Sequence, residues 1–279
     1  MLGIALGLAS SVAWGVSDFL GGLQSRRISA LTVLLITQPV GLVVALAVAL
    51  VFGGSELDRE DALLGAAAGA VVVLALGAFY RAMALGSVSV VATIGALGVI
   101  VPFAGGLVQG EEPGMLAVAG AFVAVPGVVL AAREPDPEWR AAGRTSLGLA
   151  AAAAVGFGGF FLLLDASAGP EPAWTIVAAR VGGVALLVIA ALKVRPSMHV
   201  PAGMGPALLA IGFCDVLANS LFAVATNHGL LALVSVAGSM YAAVTVLLAR
   251  VFLGEQLAGP QRIGVGLAFL GVALIAAGA

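Results

Sequence analysis

The sequence predicts an all-α, polytopic membrane protein with ten transmembrane helices, arranged as two inverted five-helix repeats. Three observations predict it. Of 279 residues, 62% are hydrophobic and only 9% are charged, whereas soluble domains carry about 25% charged residues. Apolar runs of about 20 residues, the length that spans a bilayer, recur along the whole chain. The second half also repeats the first after an odd number of runs.

Composition excludes the other classes. Twelve Lys and Arg with fourteen Asp and Glu cannot cover a water-soluble sphere of this length. Disorder needs low hydrophobicity and nucleic-acid binding needs a basic patch; a net charge of −2 on an apolar chain fits neither. A lone Cys214 makes no intramolecular disulfide, and two histidines supply no rich His/Cys metal cluster. No metal and no cofactor is expected. The expected partners are the lipid bilayer and a small-molecule substrate, with the chain as a monomer or homodimer in the plasma (inner) membrane of a prokaryote.

The spans follow in order. The first, Leu2 to about Gly22, lacks the basic start of a signal peptide and ends at Gln24-Ser25-Arg26-Arg27. The next four run over Leu31–Phe52, Ala62–Leu85, Val88–Val108 and Met115–Ala132. The longest polar segment, Arg133–Thr145, holds Pro135 and Pro137. Five more spans follow it: Leu147–Leu164, Ala173–Leu192, Gly203–Thr226, Leu230–Leu253 and Ala258–Ala277. Period-2 alternation does not occur, so the backbone must be satisfied within helices rather than in a closed barrel. The chain thus divides into a first repeat over 1–132, a linker over 133–145 and a second repeat over 146–279.

The halves match residue by residue. Leu6-Gly7-Leu8-Ala9 recurs as Leu147-Gly148-Leu149-Ala150. Gly15, Phe19 and Gly41 recur as Gly156, Phe160 and Gly182. Ala82, Gly86, Val91 and Gly95 recur as Ala225, Gly229, Val234 and Gly238. Gly110-Glu111, Gly120 and Gly127 recur as Gly254-Glu255, Gly264 and Gly271. Because five is odd, the second copy enters the membrane from the opposite side, the inverted arrangement of secondary transporters, whose site lies near the midplane.

These residues also carry a resemblance. Trp14-Gly15 lies mid-span, and Gly86 lies within Ala84-Leu85-Gly86-Ser87-Val88-Ser89. The two Gly-Glu pairs precede spans five and ten and are followed by Gly120 and Gly264. In order, spacing and duplication they resemble the EamA-type branch of the drug/metabolite transporter superfamily, over essentially the whole chain. The resemblance implies a ten-helix secondary carrier, often an exporter of metabolites, amino acids or toxic compounds.

Ionisable groups inside a bilayer are costly and usually face a cavity or a partner. Arg180 and Asp215 both fall near mid-span, and Asn219 follows Asp215 by one turn. Two readings of the pair stay open. Arg180 holds a carboxylate while Asp215 holds a cationic group or a coupling proton, or the two form a permanent ion pair that fixes packing. Asp18 is the other candidate for a coupling proton. Trp14, Gln38 beside Pro39, and Tyr241 complete the candidate substrate-binding set, with packing as the alternative for each. Pro102 suggests a bend. Glu111 and Glu255 read as structural, each at the positive end of the helix that follows it. Gly3-x-x-x-Gly7 and Gly65-x-x-x-Gly69 mark close helix packing.

Ten of the twelve basic residues lie on or beside the odd-numbered connections: Arg26, Arg27, Arg81, Arg133, Arg140, Arg144, Lys193, Arg195, Arg250 and Arg262. The positive-inside rule places that face in the cytoplasm and both termini outside; the resemblance implies cytoplasmic termini. The leading function is a secondary exporter of a metabolite, amino acid or drug-like solute, working by alternating access. No HExxH, nucleotide-binding loop or Ser/His/Asp set points to an enzyme. A channel or non-transporting sensor is the alternative, although a channel needs a continuous polar lining and no loop is long enough for a sensor module.

Overall fold

The computed structural model describes residues 2–54, 58–101, 114–131, 140–167, 172–228, 238 and 240–278. They form ten α-helices and no strand: α1 Leu2–Gln24, α2 Ala30–Phe52, α3 Arg59–Leu85, α4 Val88–Gly95, α5 Met115–Ala131, α6 Arg140–Ala166, α7 Pro172–Val194, α8 Gly205–Asn227, α9 Tyr241–Leu253 and α10 Gly259–Gly278. By length and composition, α1, α2, α3, α7 and α8 can cross a membrane, while α4, α5, α9 and α10 hold shorter apolar stretches.

Local chemistry sets the ends. Ser29, Asp58 and Ser87 cap α2, α3 and α4 by accepting from backbone N–H groups of the first turn. Helix α9 stops at Gly254, whose φ of +65° is the left-handed closing conformation that glycine adopts without strain. Two boundaries differ from the sequence reading. Helix α6 starts at Arg140 rather than Leu147, because Arg140 and Arg144 interrupt the apolar run without interrupting a helix, Arg and Ala both being strong helix formers. The end of the expected 133–145 linker is therefore already helical. Helix α4 passes at Ala96 into a 3₁₀ turn, Ala96–Val99, instead of continuing as one α-helix. Pro102 and Glu111 lie outside the described residues.

The packing repeats as the sequence does. Helix α3 packs on α6 and α7, and α8 packs on the equivalent α1 and α2; α9 lies on α1 as α4 lies on α6. The final helices of the two repeats, α5 and α10, form the most extensive pair. They run antiparallel: the Gly114 N–H donates to the Gly278 carbonyl (3.1 Å), Gly120 lies against Gly271 and Ile275, and Gly127 lies against Gly264 and Ala268. Equivalent helices pointing in opposite directions are what an inverted duplication requires.

The repeated glycines therefore have a shared cause. They let the α5 and α10 backbones touch where apolar lipid offers no hydrophobic drive for association. A side chain on Gly271 would press on the backbone of Ala124, whereas Gly266 on the same helix faces open space. Gly271→Ala should cost about 2 kcal/mol by overpacking and lower the melting temperature in detergent, with Gly266→Ala unchanged. Gly65-x-x-x-Gly69 is used within the chain: Gly65 meets Thr175 and Ala178, and Gly69 meets Ala179, all on α7.

Candidate functional site

Three helices bring the central polar residues together. Arg180 lies near the middle of α7, Asp215 near the middle of α8 and Gln38 in the first half of α2. The Arg180 Nη1 donates to Asp215 Oδ2 at 2.5 Å and to Gln38 Oε1 at 2.7 Å. The side chains of Arg180 and Asp215 are 10% and 17% exposed, so the pair is largely removed from outside contact. Glycine makes the room for it: a Cβ on Gly41, one turn after Gln38 on α2, would meet Arg180 Nη1 at 3.3 Å. Helix α2 continues through Pro39, and Gln38 joins the cluster through its side chain.

The ion pair is one-sided. Both of Arg180's bonds run through Nη1; among the described residues, Nε and Nη2 have no hydrogen-bond partner. A guanidinium built to lock onto a carboxylate normally forks both ends onto it. Asn219 Nδ2 donates to the Asp215 backbone carbonyl at 2.6 Å and reaches Asp215 Oδ1 only at 3.4 Å. Asn219 thus orients the start of this turn and leaves its own amide oxygen without a partner among the described residues.

An aromatic wall stands beside the polar cluster. Ser10 Oγ donates to the Ala218 carbonyl and Ser17 Oγ to the Ile211 carbonyl. This antiparallel register sets Trp14 level with Asp215. Trp14 contacts Phe222, ring centroids 5.6 Å apart, and the edge of Tyr241 at 6.4 Å. Gly238 admits both rings, since a Cβ there would strike Phe222 and touch Trp14. In the other repeat the equivalent Gly95 receives Phe79, but Phe79 is fully buried whereas Phe222 is half-buried. The repeat equivalents of Arg180 and Asp215 are Pro39 and Val72, so the polar chemistry occupies one side of the pseudo-symmetric pair.

Asp18 lies one turn beyond Trp14 on α1. It interacts electrostatically with Asp215 and Tyr241, and it makes no ion pair or side-chain hydrogen bond among the described residues. Tyr80 precedes Arg81 near the end of α3, a position that in sequence alone suggests a helix end. It is instead buried against Gly21 and interacts with Asp18, Asp215 and Arg180. Phe222 was also missed, although Asp215, Asn219 and Phe222 at i, i+4 and i+7 share a helix face.

Glu255 needs a correction. It was read as serving the helix that follows it, but its carboxylate sits on the start of α4 in the other repeat. Oε1 accepts from the Val88 N–H (2.9 Å), and Oε2 accepts from the Ser89 N–H (3.0 Å) and the Ser87 hydroxyl (2.9 Å). Arg26 pairs with it at 3.5 Å and also donates to the carbonyls of Met83 and Gly86. The carboxylate answers the positive end of a helix, though not of its own helix. This cluster ties three odd-numbered connections together on one face.

No group of three or more His, Cys, Asp or Glu side chains able to hold a metal occurs among the described residues. The model of the EamA-like transporter family matches residues 1–133 and 144–277, one copy in each half of the chain. No curated protein matches. Among solved structures 23 chains match; one, a crystal structure of a protein 21% identical, has a TM-score of 0.65 and covers 98% of this chain and 95% of its own. At that identity the likeness speaks for the fold alone.

Proposed function

The chain belongs to the EamA-like transporter family, an integral membrane transporter, and on that premise we propose that it exports a small solute carrying a carboxylate, an ammonium group and an apolar body. An amino acid or a similar metabolite has this form. The observation that carries the reading is the one-sided ion pair, which leaves Arg180 Nε and Nη2 without partners among the described residues. A carboxylate entering from that side gains two charge-assisted bonds while Asp215 turns to the ammonium group. Trp14, Phe222 and Tyr241 receive the apolar part. The charges therefore satisfy one another when the site is empty, and the solute replaces an existing interaction rather than adding a bare charge to the membrane.

Alternating access follows from the inverted repeats: one central site is exposed first by one packing and then by its mirror. The Glu255–Arg26 cluster would part each time its face opens. Asp18 is the better candidate for a coupling proton than Asp215, because Asp215 already has a cation. Asp18 has no ion-pair partner among the described residues, so a proton there would not compete with an existing cation.

The deciding experiment is counterflow in proteoliposomes with an amino acid, its decarboxylated amine and its deaminated acid. The zwitterion should be carried at least tenfold faster than either analogue, since each lost group leaves a charged partner unmatched. Equal rates for the amine would remove Arg180 from substrate binding. Asp18→Asn should keep exchange near the parent rate and lose accumulation driven by a pH gradient; accumulation that survives the substitution would take the proton away from Asp18.

A further inference from the structure

Far from the central pair, a recess of about 500 Å³ opens between the α1–α2 connection and the segment joining α7 to α8. Val194 on its wall is fourteen residues from Arg180, about 21 Å along α7 at 1.5 Å per residue, so the recess is separate from the transport site. Its floor and walls are apolar, with Ile28, Leu31, Val194 and Pro196, and its rim carries Arg27 and His199. The start of α2 is tied to the segment joining α7 to α8 by the Thr32 hydroxyl, which donates to the Ser197 carbonyl at 3.0 Å. The recess is thus formed by two tied segments, one from each repeat.

Its charge is uncompensated. Lys193 and Arg195 flank the same segment, and neither residues 25–29 nor 195–204 contain an acid. The Arg27 and His199 side chains are exposed and have no partner among the described residues. Of the apolar walls, Val194 is 67% exposed, so the recess opens outward at the end of α7. The recess lies where α2 begins and α7 ends, which is headgroup depth for helices that cross the bilayer. A positive rim above an apolar recess matches an amphiphile with an anionic head.

The geometry points to this recess as a binding site for an anionic phospholipid, its phosphate against Arg27 and His199 and its chains entering along Leu31 and Val194. The basic face fits the leaflet rich in anionic lipid, where each Lys or Arg near the surface adds measurably to the attraction. The proposal is independent of which solute the transporter carries.

The test uses purified, delipidated full-length protein, with binding read by native mass spectrometry and thermal shift. Phosphatidylglycerol should bind more tightly than phosphatidylcholine. Arg27→Ala should weaken phosphatidylglycerol about fivefold and leave phosphatidylcholine unchanged. Leu31→Trp, which fills the recess without altering charge, should lower phosphatidylglycerol binding as well. Arg262→Ala removes a charge from the same face outside the recess and should have no effect. Three results would overturn the proposal: an equal loss with Arg262→Ala, which makes the attraction general to the face; full binding by Leu31→Trp; or equal stabilisation by glycerol phosphate alone, which makes the ligand a free phosphate rather than a lipid.

Discussion

Arg180→Ala is expected to abolish transport and to destabilise the protein by about 3 kcal/mol, the scale of breaking one partner out of a buried ion pair. The loss has two sources. Asp215 and Gln38 would each lose the Nη1 donor that now holds them, and the solute would lose its carboxylate partner. The single variant cannot separate these, because an unfolded carrier also fails to transport. The double variant Arg180→Met with Asp215→Leu can. Two apolar side chains of similar size remove the unpaired charge, and such replacements are often neutral or stabilising. Thermal unfolding in detergent should bring the double variant to within about 1 kcal/mol of the parent, and proteoliposome counterflow should still be lost. A double variant that transports at the parent rate would make the pair a packing device. Arg180→Lys sharpens the test, since it keeps the charge but not the planar fork; it should retain the fold and carry the zwitterion poorly.

Much of this site was legible because the membrane makes polarity rare. With 26 charged residues in the chain, Arg180 and Asp215 stood out by falling mid-span, and the structure puts them on one hydrogen bond. Gln38 was legible for the same reason. The antiparallel α5–α10 pair was legible as a series of repeated glycines, although only the folded structure shows that those glycines face the opposite backbone. Tyr80 was not legible, because the neighbouring Arg81 drew the reading toward a helix end. Phe222 was hidden among apolar residues, where one more aromatic carries no distinguishing signal. The role of Glu255 was hidden by distance: its partners Val88 and Ser89 lie 167 and 166 residues away, and a helix-dipole argument from sequence can only assign a carboxylate to the nearest helix start.

That long-range contact makes Glu255 the second sensitive point. The α4 N-terminus has orphan backbone donors like any helix start; Ser87 Oγ accepts from Val90 N–H, and Glu255 takes Val88 and Ser89. Glu255→Ala leaves those two donors and Arg26 without the carboxylate, in a site where the Glu255 side chain is only 16% exposed. At 1.5–3 kcal/mol for a hydrogen bond to a charged group, with water recovering part of the loss, destabilisation of about 3 kcal/mol is expected. Glu255→Gln separates charge from shape. It can still accept from one N–H, so it should cost about half as much, and it removes the ion pair with Arg26 altogether. The same cluster ties the ends of α1 and α3 to the connection before α10, so weakening it should also loosen that face. Labelling of Ser89→Cys, in a background where Cys214 is replaced, should be faster in Glu255→Gln than with Glu255 intact, because Ser89 is now buried beneath the carboxylate it donates to. A lower melting temperature with unchanged labelling would restrict Glu255 to capping α4; faster labelling would make the same carboxylate a latch on that face.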